Sequence, residues 1–198
     1  PAATLWPPAP ATPILGHSAR PRSADRTCAF PAPGRSTRVD LVRHVADLAL
    51  SMDEQLEFVR LIVSRLEATG IPYMLTGSIA LAVYATPRLT RDVDVVIAAG
   101  PEDADRLVEA FDVDSYVDAA AVRVALASRG MFNIIHHAWV IKADFIVRKD
   151  EEYRRTEFER RRVVDLGGFT AALVAPEDLI LSKLVWAGDT GSEIQLRD

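Results

Sequence analysis

The feature that most restricts the fold is a short apolar run, Ile71 to Thr76, that ends in Gly77-Ser78 and passes without a pause into the helical pattern Ile79 to Ala85. Strand, glycine turn and helix in direct succession set a buried strand end beside a helix N-terminus, where backbone N–H groups and the positive end of the dipole favour an anion such as a phosphate. The next segment, Asp92-Val93-Asp94-Val95-Val96-Ile97, is β-branched and alternating. Side chains on a strand point to opposite faces in turn, so Thr90, Asp92 and Asp94 share one face while Val93, Val95 and Ile97 enter the core. The two acids then stand about 7 Å apart at Cα. Bare carboxylates at that spacing repel, and a divalent cation such as Mg²⁺, one ion or two, relieves the repulsion while binding the oxygens of a triphosphate.

Around this nucleus the chain reads as an α/β domain, a mixed sheet flanked by helices with further helices at the C-terminus. Ser51-Met52-Asp53-Glu54 has capping-box spacing, and Leu56, Val59, Ile62, Val63 and Leu66 recur at helical intervals up to Gly70, which predicts a helix over 51–69. Pro101-Glu102-Asp103 opens a helix through Phe111, and a second runs from Asp118 to Ser128. Met131 to His136 and Trp139 to Val147 read as paired strands, Glu151 to Arg160 as a charged helix, and Val163-Val164 with Phe169 to Val174 as a hairpin around Gly167-Gly168. Pro176-Glu177-Asp178 starts an amphipathic helix through Trp186 that Gly188 is expected to break, and Ser192 would cap a last short helix. Residues 1–38, dense in Pro, Ala, Ser and Arg, show no period that buries a face and read as a disordered arm. The folded domain is assigned to 39–198, with Met52 an alternative point of entry.

Composition closes several function classes. A net charge of −5 is not that of a protein held to nucleic acid or to a membrane by bulk charge, so any RNA contact has to be local. The single cysteine, Cys28, leaves no disulfide framework and no thiolate metal site, which suits a reducing cytoplasm. No apolar run approaches the roughly 18–20 residues of a bilayer span, so the chain reads as soluble, cytoplasmic and without a membrane partner. There is no Cys/His or Ser/His set of the kind hydrolases use.

Other residues carry two readings each. Asp144 interrupts the apolar strand Ile141 to Val147, which is costly without a partner such as a metal, although an edge-strand acid facing water would look the same. Lys183 lies among Leu179, Ile180, Leu184 and Val185, where a lysine either snorkels or places its charge on a phosphate. Arg88 and Arg91 could clamp phosphates; Arg91 alternates with Thr90 and Asp92 and faces away from them, which favours Arg88. His136-His137 occupy opposite faces of a strand and have no third ligand at suitable spacing, so they read as structural. The arginines from Arg154 to Arg162 interleave with Glu151, Glu152, Glu157 and Glu159 and read as a salt-bridged surface.

Taken together, Gly77-Ser78 followed by Asp92-Val93-Asp94 on the next strand resembles the signature of the nucleotidyltransferase superfamily related to DNA polymerase beta. The helix Ala80-Leu81-Ala82-Val83-Tyr84, the link with Arg88, the run Thr90 to Asp94 and the segment Pro176 to Leu184 are similar to its AbiEii/MenT branch, nucleotidyltransferase toxins of bacterial toxin-antitoxin systems. The resemblance covers roughly residues 55 to 198. It implies a polymerase-beta-like nucleotidyltransferase fold, an NTP substrate, the 3′ end of tRNA as acceptor with a block of translation, and a cognate antitoxin as partner. It implies metal and nucleotide contacts at Thr90, Asp92 and Asp94, and site roles for Lys183 and Asp198; the residues themselves offer Asp144 as a third acid for metal or proton, and Gly77, Ser78 and Arg88 for the phosphates. Two alternatives remain. One is a nucleotidyltransferase modifying a protein or small molecule, as in minimal nucleotidyltransferase antitoxins and aminoglycoside-modifying enzymes, whose Gly-Ser to Asp-x-Asp spacing is usually shorter than the fourteen positions from Ser78 to Asp92. The other is a domain that binds nucleotide or a partner without catalysis.

Overall fold

The computed structural model describes residues 38–85 and 92–190, with side chains placed over 52–85 and 92–185. The chain divides after Asp47, and the fold considered below is that of the second unit, Leu48–Asp198. In chain order the elements are α1 (Arg38–Thr69), β1 (Tyr73–Thr76), α2 (Gly77–Tyr84), β2 (Asp92–Ile97), a 3-10 turn at Pro101–Asp103, α3 (Ala104–Phe111), β3 (Ser115–Val117), α4 (Ala119–Ser128), β4 (Met131–His136), β5 (Lys142–Val147), α5 (Glu152–Glu159), β6 (Arg162–Asp165), β7 (Thr170–Leu173) and α6 (Pro176–Thr190). The strands form one mixed sheet in the order β3-β4-β5-β2-β1-β7-β6. β2 pairs antiparallel with β1 and parallel with β5, and β7 pairs parallel with β1, so the strands around Gly77-Ser78 and Asp92-Val93-Asp94 occupy the middle of the sheet.

Alternation along the central strands separates the two faces. Val93, Val95 and Ile97 of β2 are fully buried together with Ala143, Phe145 and Val147 of β5, Leu75 of β1, and Phe132 and Ile134 of β4. Phe145 meets Phe111 of α3 edge-on and stacks on Phe132, while Phe58 of α1 lies against His136 and Trp139. Every second residue of β2 and β5 therefore anchors the backbone. The intervening Asp92, Asp94, Lys142 and Asp144 are left on the opposite face, with exposed or intermediate burial.

Three local readings needed revision. α1 runs unbroken through Ser51, because no Gly or Pro interrupts Arg38–Thr69 and a capping box starts a helix only where the preceding backbone is already non-helical. It stops, as expected, at Gly70, whose φ of +68° lies in the left-handed region. α6 continues past Gly188 to Thr190, since one interior glycine costs only about 1 kcal/mol relative to alanine. β3 escapes a periodicity reading because three residues cannot display alternation; it exists through antiparallel pairing with β4. Of the arm assigned to 1–38, residues 1–37 lie outside the described residues and Arg38 is the first residue of α1; the helix expected at Ser192 also lies outside the described residues.

Truncating the α1 anchor tests this packing. Phe58→Ala should cost about 3–5 kcal/mol in urea unfolding, because it removes a fully buried ring from between α1 and the β4–β5 turn; a loss under about 1 kcal/mol would contradict the packing described.

Candidate active site

Backbone register assembles the site. Thr76, the last residue of β1, lies opposite Asp94, and Asp94 lies beside Asp144 of β5, which in turn lies opposite Asn133 of β4. In-register neighbours point to the same side of a sheet, so Thr76, Asp94, Asp144 and Asn133 form one polar row across four strands. One step along, Asp92 lies beside Lys142. The acid expected from chemistry alone, Asp144, is thus the direct lateral neighbour of Asp94.

The Gly77 turn closes tightly over this row. Gly77 has φ of +60°, and a Cβ placed on it would overlap Asp94 Oδ2 and lie 2.8 Å from Asp94 Cγ. Glycine is required twice here, once by the left-handed backbone and once by the carboxylate packed against its Cα. α2 then begins directly, with Thr76 at the N-cap in extended conformation and making no side-chain cap. Ser78 Oγ donates to the carbonyl oxygen of Asp92 at 3.1 Å, tying the start of α2 to the start of β2. The strand, glycine turn and helix expected from sequence are therefore placed directly beside the aspartates.

Crowding of like charge has an electrostatic cost. Burial, then the negative charges of Asp144 and Asp92, push the Asp94 carboxyl up to about 6, against an opposing pull from Lys142 and Lys183. Lys183 of α6 is thereby placed within electrostatic reach of Asp94, although it is more than eighty positions away in sequence. Lys142 Nζ stands 2.8 Å from Asp144 Oδ2 and 3.5 Å from Asp92 Oδ1, and those carboxylates hold its ammonium above the usual lysine range. The other oxygen, Asp144 Oδ1, is buried and has no hydrogen-bond partner.

The donors suit a hard divalent cation: three carboxylates on one face, one of them with a buried oxygen in need of a positive partner. As the side chains stand, no group of three or more His, Cys, Asp or Glu among the described residues is gathered into a metal cage. The Lys142 ammonium lies between Asp92 and Asp144, while the register keeps all three carboxyls on one face. Lys142, Thr76 and Asn133 were not singled out from sequence. For Lys142 a signal was present, since it alternates with Asp144 and so shares its face.

Of the remaining sequence candidates, Arg88, Thr90, Arg91 and Asp198 lie outside the described residues. His136 is buried, stacks on Trp139 at 4.1 Å and accepts the Trp139 N–H at Nδ1, in keeping with a structural histidine. Arg154 pairs with Glu157 and Arg160 with Asp178, both buried acids, whereas Arg162–Glu177 is the exposed pair, so the salt-bridged surface expected from sequence is partly an interior network. A cleft of about 280 Å³ lined by Leu66, Tyr73, Arg161 and Ala172 contains none of the acids.

Comparison with solved structures places this arrangement in a known fold class. The fold is similar to that of a nucleotidyltransferase-class protein from Thermotoga maritima, at 18% identity over 73% of this chain and 91% of the other, with a TM-score of 0.51. It is equally similar to an antigenic nucleotidyltransferase-like protein from Paracoccidioides brasiliensis, at 18% identity over 73% of each chain and the same TM-score. The chain therefore has the nucleotidyltransferase fold, a likeness of architecture at these identities. No protein-family model matches the sequence, and no curated protein matches it. Among the described residues no helix is long and apolar enough to cross a membrane.

Two measurements bear on the geometry. Asp94→Asn should raise the melting temperature at pH 8 and lose that advantage near pH 4. The folded carboxyl, raised from 3.8 to about 6, favours the protonated form, so the parent protein is penalised above that value and not below the unfolded one. The gain is at most about 3 kcal/mol, and thermal melts with a chelator present across that range would read it. Gly77→Ala should destabilise by more than about 1 kcal/mol, and equal melting of variant and parent would rule out the close approach to Asp94.

Proposed function

We propose that the chain is a metal-dependent nucleotidyltransferase that moves a nucleoside monophosphate from an NTP to an acceptor hydroxyl. The observation that carries this reading is the row Thr76, Asp94, Asp144 lying directly under the Gly77 turn and the N-terminus of α2. A phosphate-binding helix end and a set of hard oxygen donors then face one another across a few ångströms. Asp92, Asp94 and Asp144 would hold the divalent cation, whose chemistry is to neutralise triphosphate charge and polarise the α-phosphate.

The residues of the chain supply the rest. The first-turn amides of α2 bind the phosphate oxygens, with Ser78 fixing the turn through its bond to the Asp92 carbonyl. Asp144, the third acid, accepts the proton of the acceptor hydroxyl as the new bond to the α-phosphorus forms. The bond from that phosphorus to the bridging oxygen breaks on the opposite side, and pyrophosphate leaves with the electron pair. Lys183 places positive charge where the leaving group gathers negative charge.

On the sequence resemblance, the acceptor placed first is the tRNA 3′ end, with Thr90, Arg88 and Asp198 completing the nucleotide site. The protein would then be a translation-blocking toxin countered by an antitoxin. The test is incubation of the purified protein with total tRNA, Mg²⁺ and each α-phosphate-labelled NTP. Label appearing on RNA supports the reading, label on a protein or small-molecule acceptor moves it to the alternative transferase class, and nucleotide binding without transfer leaves only a binding domain. Asp92→Ala should lower transfer by at least about 10²-fold with little change in melting temperature, because Asp92 is exposed at the strand start.

A further inference from the structure

Among the described residues of β2 and β5, Lys142 brings to the carboxylate face a charge with the sign of the cation expected there. It alternates with Asp144 on β5 and lies beside Asp92 in the parallel ladder, so the backbone that gathers the acids also delivers an ammonium between two of them. The contact is direct, 2.8 Å to Asp144 Oδ2 and 3.5 Å to Asp92 Oδ1. A divalent cation binding these oxygens at about 2.0–2.6 Å would meet the ammonium a few ångströms away, where like charges on a partly buried face repel strongly. Both cannot use the same oxygens. The lysine stem is long, and its side chain is 39% exposed, so the ammonium has room to swing into solvent.

We propose that Lys142 is a built-in competitor of the divalent cation, an internal counter-ion that bridges Asp92 and Asp144 and must leave them before the metal is held. This inference rests on the metal-dependent reading above and goes beyond it by assigning the state in which the site waits. The bridge neutralises part of the carboxylate charge and weakens capture of a free divalent ion. Loading then depends on displacement of the ammonium, and the apparent metal affinity is the intrinsic one reduced by the fraction of molecules in which the bridge is open.

Binding of Mn²⁺ alone, followed by electron paramagnetic resonance on the full chain without nucleotide, tests this. Lys142→Met keeps the stem and removes the charge, and it should bind Mn²⁺ about tenfold more tightly than the parent if the bridge is made in about nine molecules of ten. Lys142→Arg keeps the charge and should retain the weaker parental affinity, which separates competition from a packing effect. Mn²⁺ should also raise the melting temperature of Lys142→Met more than that of the parent. Should Lys142→Met fail to fold, Lys142→Gln serves in its place.

Equal Mn²⁺ affinity in parent and Lys142→Met, with binding lost in Asp144→Asn, would overturn the competitor role and leave the metal-dependent reading standing. Absence of Mn²⁺ binding in parent and Lys142→Met alike would overturn both. Tighter binding in Lys142→Met, lost again when Asp144→Asn is added, establishes the competition at the oxygens named.

Discussion

The pairing of β2 between β1 and β5 is the constraint on which the rest of the molecule depends. Two ladders, one antiparallel and one parallel, place Thr76, Asp94 and Asp144 side by side, and neither ladder can slip by one residue without turning the valines and Phe145 out of the core. The apolar residues on one face thus hold in register a group of like charges on the other. The carboxylates would separate if unconstrained. Burial first, and then the charges of Asp144 and Asp92, raise the affinity of Asp94 for a proton, and the burial of Val93, Val95, Ile97, Ala143, Phe145 and Val147 offsets that cost.

Gly77 makes the same point at atomic scale. Its α-carbon is the surface on which the Asp94 carboxylate rests, so the turn that starts α2 and the acid that faces it are parts of one packing arrangement. Ser78 adds a second tie through the carbonyl of Asp92. A helix N-terminus attracts the anionic strand beside it, and this proximity supports the proposed binding of a cation and a phosphate together.

Much of this was legible in the sequence, and the limits have physical reasons. Alternation in Asp92 to Ile97 specified the strand, its two faces and the shared side of Asp92 and Asp94, because a half-buried strand leaves a local pattern. Asp144 drew attention as a charge inside an apolar run. Its position beside Asp94 did not appear, since parallel pairing of strands fifty residues apart leaves no local trace. Lys142 was overlooked for the same reason: a lysine on a strand is unremarkable until the partner strand brings an aspartate beside it. The length of α1 was misjudged where a capping pattern fell inside a continuous helix, and β3 was too short to announce itself.

The attachment of α6 has a consequence for how the molecule assembles. Val174 donates its N–H to the carbonyl of Leu75, one residue before the end of β1, and the Tyr84 hydroxyl reaches the carbonyl of Val174 from the end of α2. The segment leading into the helix of Lys183 is therefore fastened to both sides of the glycine turn, with about a hundred residues of chain looped out between the fastened points. Closing so long a loop is entropically slow, and early folding events favour nearer neighbours. The approach of Lys183 to Asp94 is therefore a long-range contact that local structure alone cannot establish, and loosening either fastening would shift Lys183 relative to Asp94.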